Sequence, residues 1–297
     1  MIILAVLSQN SMTSVVRLLI HPATWVCVLL AIAPCSSIID YQEEELQRTE
    51  LEQKIVPRYA TSPGHTVFGE YVGAHWCGPC MSSASPSLDN LKTSNPEEFT
   101  FVSFFESSSG GWPSDGPVNR QTHIMQSSSG YPTFSFADSQ SGSCYKVGAS
   151  GTSYYDSDFS SGGCMSPSSN DFQLEMSMSL NSSTEEVTIT LDSIYTGSLS
   201  TYDVYVYGAV TEKLGADSYD NGVKPHHNWR GWLLNSADTG FQQLSLSQGV
   251  WESHSWTAPL STVRASGGYT QWENFWPVFA LMDGPHSSYN EFLVAID

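Results

Sequence analysis

The pattern of apolar and polar positions divides the chain into two regions with different periodicities. In the first region, apolar runs alternate with helical patterns. This predicts strands over 66–74, 99–106 and 133–136, a helix over 80–92 and a short helix over 117–125. The order strand, helix, strand, helix, strand is typical of a small α/β unit.

From about residue 171 to the end, apolar and polar residues alternate in short stretches that are separated by turn residues. Seven stretches have this pattern: 172–178, 187–191, 202–210, 242–246, 251–256, 275–281 and 291–296. About seven short strands in succession indicate an all-β sandwich of the immunoglobulin or fibronectin type. The region contains no recognisable catalytic constellation.

The N-terminal segment is the most apolar part of the chain. No formally charged residue occurs from Leu18 to Ile39, while Arg17 precedes this run and three glutamates follow it at 43–45. This charge asymmetry predicts a signal peptide or a retained membrane anchor over 1–39, with the rest of the chain outside the cytoplasm. A lipid anchor on Cys35 is a further interpretation, although Pro34 directly before this cysteine fits a lipidation motif poorly.

The changes in composition predict four segments along the chain. They are a signal peptide or membrane anchor at 1–39, a polar linker at 40–62, an α/β domain at 63–166 and a β-sandwich domain at 170–297. Pro57 and the sequence Ser62-Pro63-Gly64 mark the end of the linker.

The charge balance excludes one class of partner. The 297 residues include 11 Lys and Arg against 30 Asp and Glu, which gives a formal net charge of -19. Nucleic-acid binding is not expected, because the chain lacks the basic surface that neutralises phosphates. Only 14% of residues are charged, and the abundance of small polar residues favours an extracytoplasmic protein.

The sequence Trp76-Cys77-Gly78-Pro79-Cys80 concentrates the candidate chemistry. Two thiols at this spacing, placed between a strand and a helix, are suited to making and breaking a disulfide. Cys77 would lie at the helix N-terminus, where unpaired N–H groups and the helix dipole lower the pKa of a thiol. Cys80, one turn later, would attack the mixed disulfide and release the product.

Two further cysteines, Cys144 and Cys164, flank a stretch rich in Ser and Gly. We expect them to form a structural disulfide across a segment with little core of its own. Closing a loop of this length stabilises a fold by about 3 kcal/mol. Because these cysteines do not form a second closely spaced pair, a four-ligand zinc site with Cys77 and Cys80 is disfavoured.

The motif Trp-Cys-Gly-Pro-Cys after an apolar strand, followed by Tyr131-Pro132-Thr133 at the start of a later strand, resembles the thioredoxin superfamily. The resemblance implies an α/β thioredoxin-like domain followed by the sandwich. It also implies that Pro132 is a cis-proline beside the active disulfide. Trp76, Tyr131 and Pro132 would then contact the substrate chain.

The sequence departs from that family at one position. Where the family carries a buried acid, six residues before the first cysteine, this chain has Tyr71, and Glu70 should point to the opposite face of the strand. His75 is either a proton relay for the cysteines or an exposed bystander. The residues Ala209 to Glu212 and His226 to Arg230, followed by a last pair of strands, resemble the C-terminal sandwich of thioredoxin-like bacterial outer-membrane lipoproteins.

These observations favour an extracytoplasmic thiol-disulfide oxidoreductase without a metal or other cofactor. Its expected partners are protein thiols and disulfides, with a membrane-bound electron donor or acceptor as a further partner. The alternative is a non-catalytic envelope protein that binds its partner through the scaffold and the sandwich. A third reading is a copper chaperone, which requires a histidine such as His75 or His123 near the thiols.

A metal site in the second region is less favoured. His226 and His227 would need His254 or His286 as partners. Adjacent residues on a strand point to opposite faces, so we expect these two histidines to belong to a polar loop or a strand edge.

Overall fold

The computed structural model describes residues 58–59, 67–106, 118–126, 130–136, 144–148, 155–156, 159, 171–234, 241–284 and 292–297. All of them belong to one compact unit, Ile55–Asp297. The predicted signal peptide or anchor at 1–39 lies outside the described residues. No helix within the described ranges is long and apolar enough to cross a membrane.

The elements follow one another along the chain as the periodicity predicts over most of its length. The strands are β1 (Arg58–Tyr59), β2 (Val67–Ala74), β3 (Phe99–Glu106), β4 (Thr133–Phe136), β5 (Tyr145–Val147), β6 (Phe172–Asn181), β7 (Glu186–Tyr195), β8 (Thr201–Leu214), β9 (His226–Trp232), β10 (Phe241–Ser247), β11 (Trp251–Pro259), β12 (Phe275–Met282) and β13 (Phe292–Ile296). The helices are α1 (Ser85–Ser94), α2 (Val118–Met125) and α3 (Gln271–Asn274), with a π-helical turn at Cys80–Ala84 and a 3-10 turn at Leu260–Thr262.

The helix predicted over 80–92 is present in two parts. The π-helical turn contains one residue more than an α-helical turn would, and Ser85 closes it by donating its backbone N–H to the carbonyl of Cys80. Pro86 stands in the first turn of α1. A proline is tolerated there because the N–H that it lacks has no partner within the helix.

Most strands of the described residues belong to one mixed sheet of nine. Its order is β13, β12, β8, β9, β3, β2, β4, β5, with β10 beside the first half of β8. β2 and β3 are parallel and are connected by α1, whereas β4 runs antiparallel to β2. This central part of the sheet carries the cysteine motif at the end of β2.

The junction between the two halves of the chain is formed by β8 and β9. β8 pairs with β10 over its first half and with β9 over its second half. β9 in turn lies parallel to β3, with Ser103 opposite Asn228. The side-chain hydroxyl of Ser103 donates to the carbonyl of His226 at 2.7 Å. Strands from both halves therefore share one sheet.

This arrangement shows that the predicted fold class is wrong. We expected an α/β thioredoxin-like domain followed by a separate all-β immunoglobulin- or fibronectin-like sandwich, but the structure is mostly β with one mixed sheet that runs through both regions. The physical reason is β9, whose sequence begins with His226, His227 and Asn228 and therefore looks like a polar loop. It fills the position beside β3 and removes the edge at which a separate domain would end.

The remaining described strands form an antiparallel sheet in the order β1, β6, β7, β11. β6 and β7 alternate between buried and more exposed residues, so one face of the sheet is covered. The cover is the larger sheet: the rings of Trp256 on β11 and Phe279 on β12 lie 5.3 Å apart.

Both faces of β2 and β3 are buried, but they pack against different elements. One face carries Tyr71, Phe101 and Phe105 and packs with both cysteines of the motif and with Leu88 of α1. The opposite face carries Phe68, Val72, Val102 and Phe104 and packs with Ile124 of α2 and Trp229 of β9.

Glu70 points to the face of β2 opposite the cysteines, as the strand alternation predicts. It forms an ion pair with Arg120 of α2 in which both side chains are fully buried. Nε of Arg120 donates to Oε1 of Glu70 at 2.8 Å, and the guanidinium lies 5.4 Å from the ring centre of Phe241. Glu70 is therefore occupied in the core and is not available to the thiols.

Candidate redox site

Cys77 and Cys80 are joined by a disulfide at the start of the helix that follows β2. Cys77 is 6% exposed and Cys80 is fully buried. The backbone N–H of Cys80 donates to Sγ of Cys77 at 3.1 Å. An N–H group directed at this sulfur stabilises negative charge on it, so the geometry favours Cys77 as the thiolate after reduction.

The surface beside the disulfide is aromatic. Trp76 is 47% exposed, and its ring lies edge-on to that of Tyr131 at 5.9 Å. The Tyr131–Pro132 peptide bond is cis. Because Thr133 lies opposite Val72 in the sheet, Pro132 comes next to the end of β2, from which the motif continues.

Tyr131 is held in place by Glu106 at the end of β3. Its hydroxyl donates to Oε2 of Glu106 at 2.7 Å. Burial, together with this carboxylate, raises the pKa of Tyr131 above its usual value. Tyr131 is therefore a neutral hydrogen-bonding group throughout the physiological range.

Tyr71 occupies the position at which the resemblance would place a buried acid. It is 1% exposed, and its hydroxyl shares a hydrogen bond of 3.1 Å with the hydroxyl of Tyr219. Gly73 makes room for it, because a Cβ atom at Gly73 would lie 2.8 Å from the Tyr71 hydroxyl. Burial first, and the neighbouring Tyr219 second, raise the pKa of Tyr71.

Tyr219 belongs to the loop between β8 and β9, residues 215–225, which we call the β8–β9 loop. The ring of Tyr219 packs edge-on against Phe105 at 4.9 Å. The backbone N–H of Asp220 donates to the carbonyl of His75, two residues before Cys77, at 3.1 Å. The second half of the chain thus contributes directly to the surroundings of the disulfide, and no motif in the sequence indicated this.

The β8–β9 loop is fixed by an ionic network at its base. Arg264 contacts the fully buried Glu212 and the loop residue Asp217, with Nη2 at 2.8 Å from Oδ2 of Asp217. The backbone N–H of Ala216 also donates to Glu212. Lys224 donates to the carbonyls of Gly215 and Ala216. Because both ends of the loop are bound in this way, Tyr219 enters the core in one defined position.

Asp89 on α1 is the carboxyl that the sequence reasoning missed. Its side chain is 21% exposed, but its Oδ1 atom is buried without a hydrogen-bond partner among the described residues. Its Oδ2 atom lies 3.7 Å from Nε2 of His226. Burial raises the pKa of Asp89 to about 8 and lowers that of His226. The sequence indicates an exposed helix residue at this position, whereas the structure places His226 of β9 beside it.

The histidines singled out in the sequence do not come together. His226 faces Asp89, whereas His227 is buried against the rings of Phe101 and Trp276. His254 lies on β11 in the other sheet, and His286 lies outside the described residues. Within the described ranges no group of three or more His, Cys, Asp or Glu side chains is placed to hold a metal ion.

The two histidines considered as thiol neighbours lie in different places. His75 packs edge-on against Trp76 at 4.6 Å, and its Nδ1 atom has no hydrogen-bond partner in the part of the chain that the structure describes. His123 is on α2, next to Ile124, which packs on the sheet face opposite the cysteines.

Cys144, just before β5, is half-buried and packs against the cluster that contains both cysteines of the motif. Among the described residues it has no disulfide partner. Cys164 lies outside the described residues, so its pairing with Cys144 stays a prediction.

Comparisons with known proteins do not identify a family for this chain. No protein-family model and no curated protein matches the chain. A β-glucosidase from Kluyveromyces marxianus in complex with glucose is similar to 42% of this chain at 14% identity, with a TM-score of 0.23. The β-glucosidase EmGH1 from Erythrobacter marinus is similar to 38% of it at 14% identity, with a TM-score of 0.20.

This chain covers 13% of the length of each of these two enzymes. A likeness at such TM-scores carries no argument about fold or function. Membership of the thioredoxin superfamily therefore stays a prediction that rests on the motif.

Proposed function

We propose that this chain is a thiol-disulfide oxidoreductase with Cys77 as the nucleophile and Cys80 as the resolving thiol. The observation that carries this proposal is the asymmetry of the disulfide. Cys77 lies at a helix N-terminus beside the exposed Trp76, whereas Cys80 is fully buried. An incoming thiol or disulfide therefore reaches Cys77 first, and Cys80 reacts only within the protein.

In the reducing direction, the Cys77 thiolate attacks one sulfur of a substrate disulfide. A Cys77–substrate bond forms, and the other substrate sulfur leaves as a thiolate that takes a proton from water. Cys80 then loses its proton and attacks Sγ of Cys77, which restores the Cys77–Cys80 disulfide and releases the second substrate thiol. Two electrons pass to the substrate; the reverse sequence oxidises a substrate dithiol, and the relative stability of the reduced pair sets the direction.

Trp76, Tyr131 and Pro132 are the proposed platform for the substrate chain. They lie beside the disulfide, and Trp76 offers a large exposed apolar face. The proposed substrates are protein thiols and disulfides outside the cytoplasm, with a membrane-bound electron donor or acceptor as the redox partner. The low fraction of charged residues, the abundance of small polar residues and the apolar run at 18–39 support this location.

The test is to trap the mixed disulfide. Cys80→Ser should accumulate partner proteins on Cys77 when it is expressed in its own host and quenched with acid. Cys77→Ser/Cys80→Ser is the matched control and should trap none. The reduced and oxidised wild type should also reduce and oxidise a test peptide, respectively. Absence of trapped partners, together with absence of activity in both directions, would overturn the proposal.

A further inference from the structure

The resolving cysteine needs a group that takes its proton, and Tyr71 stands where a carboxyl was expected. Three buried side chains are linked beside it. The Tyr71 hydroxyl bonds to the Tyr219 hydroxyl at 3.1 Å, and Tyr219 also hydrogen-bonds to the side chain of Ser85. Both tyrosines pack in the same buried cluster as Cys77 and Cys80.

The π-helical turn brings Ser85 close to Cys80 along the helix. The backbone N–H of Ser85 donates to the carbonyl of Cys80, so the two residues are one turn apart. Asp89 follows Ser85 by four positions, which places both on one side of α1. Tyr71, Tyr219 and both cysteines pack in one buried cluster with Leu88 of α1, the residue before Asp89.

One oxygen of the Asp89 carboxyl faces His226, and the other is available to exchange a proton. Its Oδ1 atom is buried and accepts no hydrogen bond from any residue that the structure describes. Its charge also adds to the effects of burial in raising the pKa values of both Tyr71 and Tyr219. A buried carboxyl oxygen without a hydrogen-bond partner, on the same side of α1 as Ser85, is a suitable proton acceptor.

We propose that Asp89, acting through the hydroxyl groups of Ser85, Tyr219 and Tyr71, takes the proton that Cys80 must lose during disulfide exchange. This inference rests on the proposed function and deepens it. Tyr219 comes from the β8–β9 loop, so the C-terminal half of the chain supplies part of the redox site.

The step balances within the protein. The proton of the Cys80 thiol passes along the hydroxyl groups to the Asp89 carboxylate, and the Cys80 sulfur attacks Sγ of Cys77. The bond between Cys77 and the substrate sulfur breaks, and its electron pair leaves with the substrate. Asp89, which is 21% exposed, then returns the proton to water.

The pKa of Asp89 determines the pH range in which it can accept this proton. Burial raises that pKa to about 8. Among the described residues, other titratable groups also lie near the site: His226 beside Asp89, Lys213 near His226, Tyr155 near Tyr71, and His75 next to Trp76. Their own titrations must be separated from that of Asp89 in any test.

The test isolates the attack of Cys80 on Cys77. The reduced protein is mixed with an aromatic disulfide that releases one coloured thiolate on reaction with Cys77 and a second one when Cys80 resolves the adduct. Stopped-flow absorbance from pH 5 to pH 10 follows both phases. Because Asp89 accepts a proton only as the carboxylate, we expect Asp89→Asn to slow the second phase by at least about tenfold above pH 8 and to leave the first phase unchanged.

Further variants make the result specific. Tyr219→Phe removes only a hydroxyl and should slow the second phase in the same pH range, and Tyr71→Phe should do the same. Asp220→Asn is the matched control, because it removes a negative charge from the exposed tip of the same loop, and it should behave as wild type. His226→Asn should leave unchanged the pH midpoint of the second-phase rate, which we assign to Asp89.

The proposal is overturned if Asp89→Asn and Tyr219→Phe both keep the wild-type pH profile of the second phase. If Asp89→Asn does not fold, Tyr219→Phe alone decides in the same way. This assay needs no natural substrate, so a failure of the trapping experiment would reject the proposed function without affecting this measurement. An unchanged profile would reject the proton route even where trapping succeeds.

Discussion

The hydroxyl groups of Tyr71 and Tyr219 lie 3.1 Å apart although the two residues are separated by 148 positions in the sequence. Tyr71 is on β2, directly before the cysteine motif, and Tyr219 is on the β8–β9 loop. This contact joins the strand before the redox motif to the C-terminal half of the chain. It makes the surroundings of the disulfide dependent on both halves.

The Tyr71–Tyr219 hydrogen bond should be measurable as a coupling. We expect Tyr71→Phe and Tyr219→Phe each to lower the free energy of unfolding by about 1 kcal/mol, because each leaves the other buried hydroxyl with one bond fewer. The double variant should lose less than the sum of the two. Urea unfolding of all four proteins gives the coupling energy, and strict additivity would show that the bond contributes nothing.

The buried pair of Glu70 and Arg120 should be costly to break from one side. Glu70→Gln removes the carboxylate that pairs with the fully buried Arg120 guanidinium, so we expect a loss of about 3–5 kcal/mol. Glu70→Gln combined with Arg120→Met should be more stable than Glu70→Gln alone, because the buried positive charge is removed as well. Thermal or urea unfolding measures both, with exposed Glu98→Gln as a control that should change little.

Burial of His227 should make the protein sensitive to acid. Burial lowers the pKa of His227 to about 3 from 6.5, so the folded state favours the neutral ring. Its contribution to stability is complete above pH 6.5 and is lost as the pH falls towards 3. Over that window it should decrease the free energy of unfolding by up to about 1.4 kcal/mol per pH unit.

His227→Asn is a suitable comparison for this effect. Asparagine tolerates the positive φ angle of 51° at this position and does not titrate. The difference in unfolding free energy between wild type and variant should therefore shrink as the pH falls from 6.5. A difference that is constant with pH would contradict the assigned cause.

Asp89 should affect stability with the opposite sign. Burial raises its pKa to about 8 from 3.8, so the folded state favours the protonated carboxyl. Its contribution is complete below pH 3.8 and is lost as the pH rises through 8. Asp89→Asn keeps a neutral polar group, so it should match wild type near pH 4 and be more stable at pH 8 in urea unfolding. Equal stability at both pH values would reject the raised pKa.

Arg264 should control the order of the β8–β9 loop. It bonds to Glu212 at the base and to Asp217 within the loop, so Arg264→Ala should free both. We expect faster hydrogen exchange of the amides at 216–224, and faster alkylation of Cys77 after reduction because the loop covers the segment before it. Asp217→Asn weakens only one of the two contacts and should give a smaller change; equal exchange in all three proteins would contradict the role.

Local sequence patterns predicted a large part of the secondary structure. The strand expected at 99–106 is β3 without a change of bounds, and the alternating stretch at 172–178 lies within β6. Such elements follow from the spacing of apolar side chains, which needs no information from elsewhere in the chain. The opposite directions of the Glu70 and Tyr71 side chains follow from the same alternation.

β9 could not be predicted from local sequence patterns. Its polar start at His226 and His227 has no strand periodicity, and its place in the sheet comes from pairing with β8 and β3. Because both partners are distant in sequence, the continuous nine-stranded sheet was not predictable, and two separate domains were predicted instead.

The sequence by itself determined the two thiols, their spacing and their place between a strand and a helix. These are local properties, because the disulfide joins residues three positions apart. Only the tertiary structure decided which groups surround that disulfide. Tyr219 is brought to it by the pairing of β8 and β9, and Asp89 lies beside His226 of β9. The environment of a side chain depends on such distant neighbours, which the local pattern does not encode.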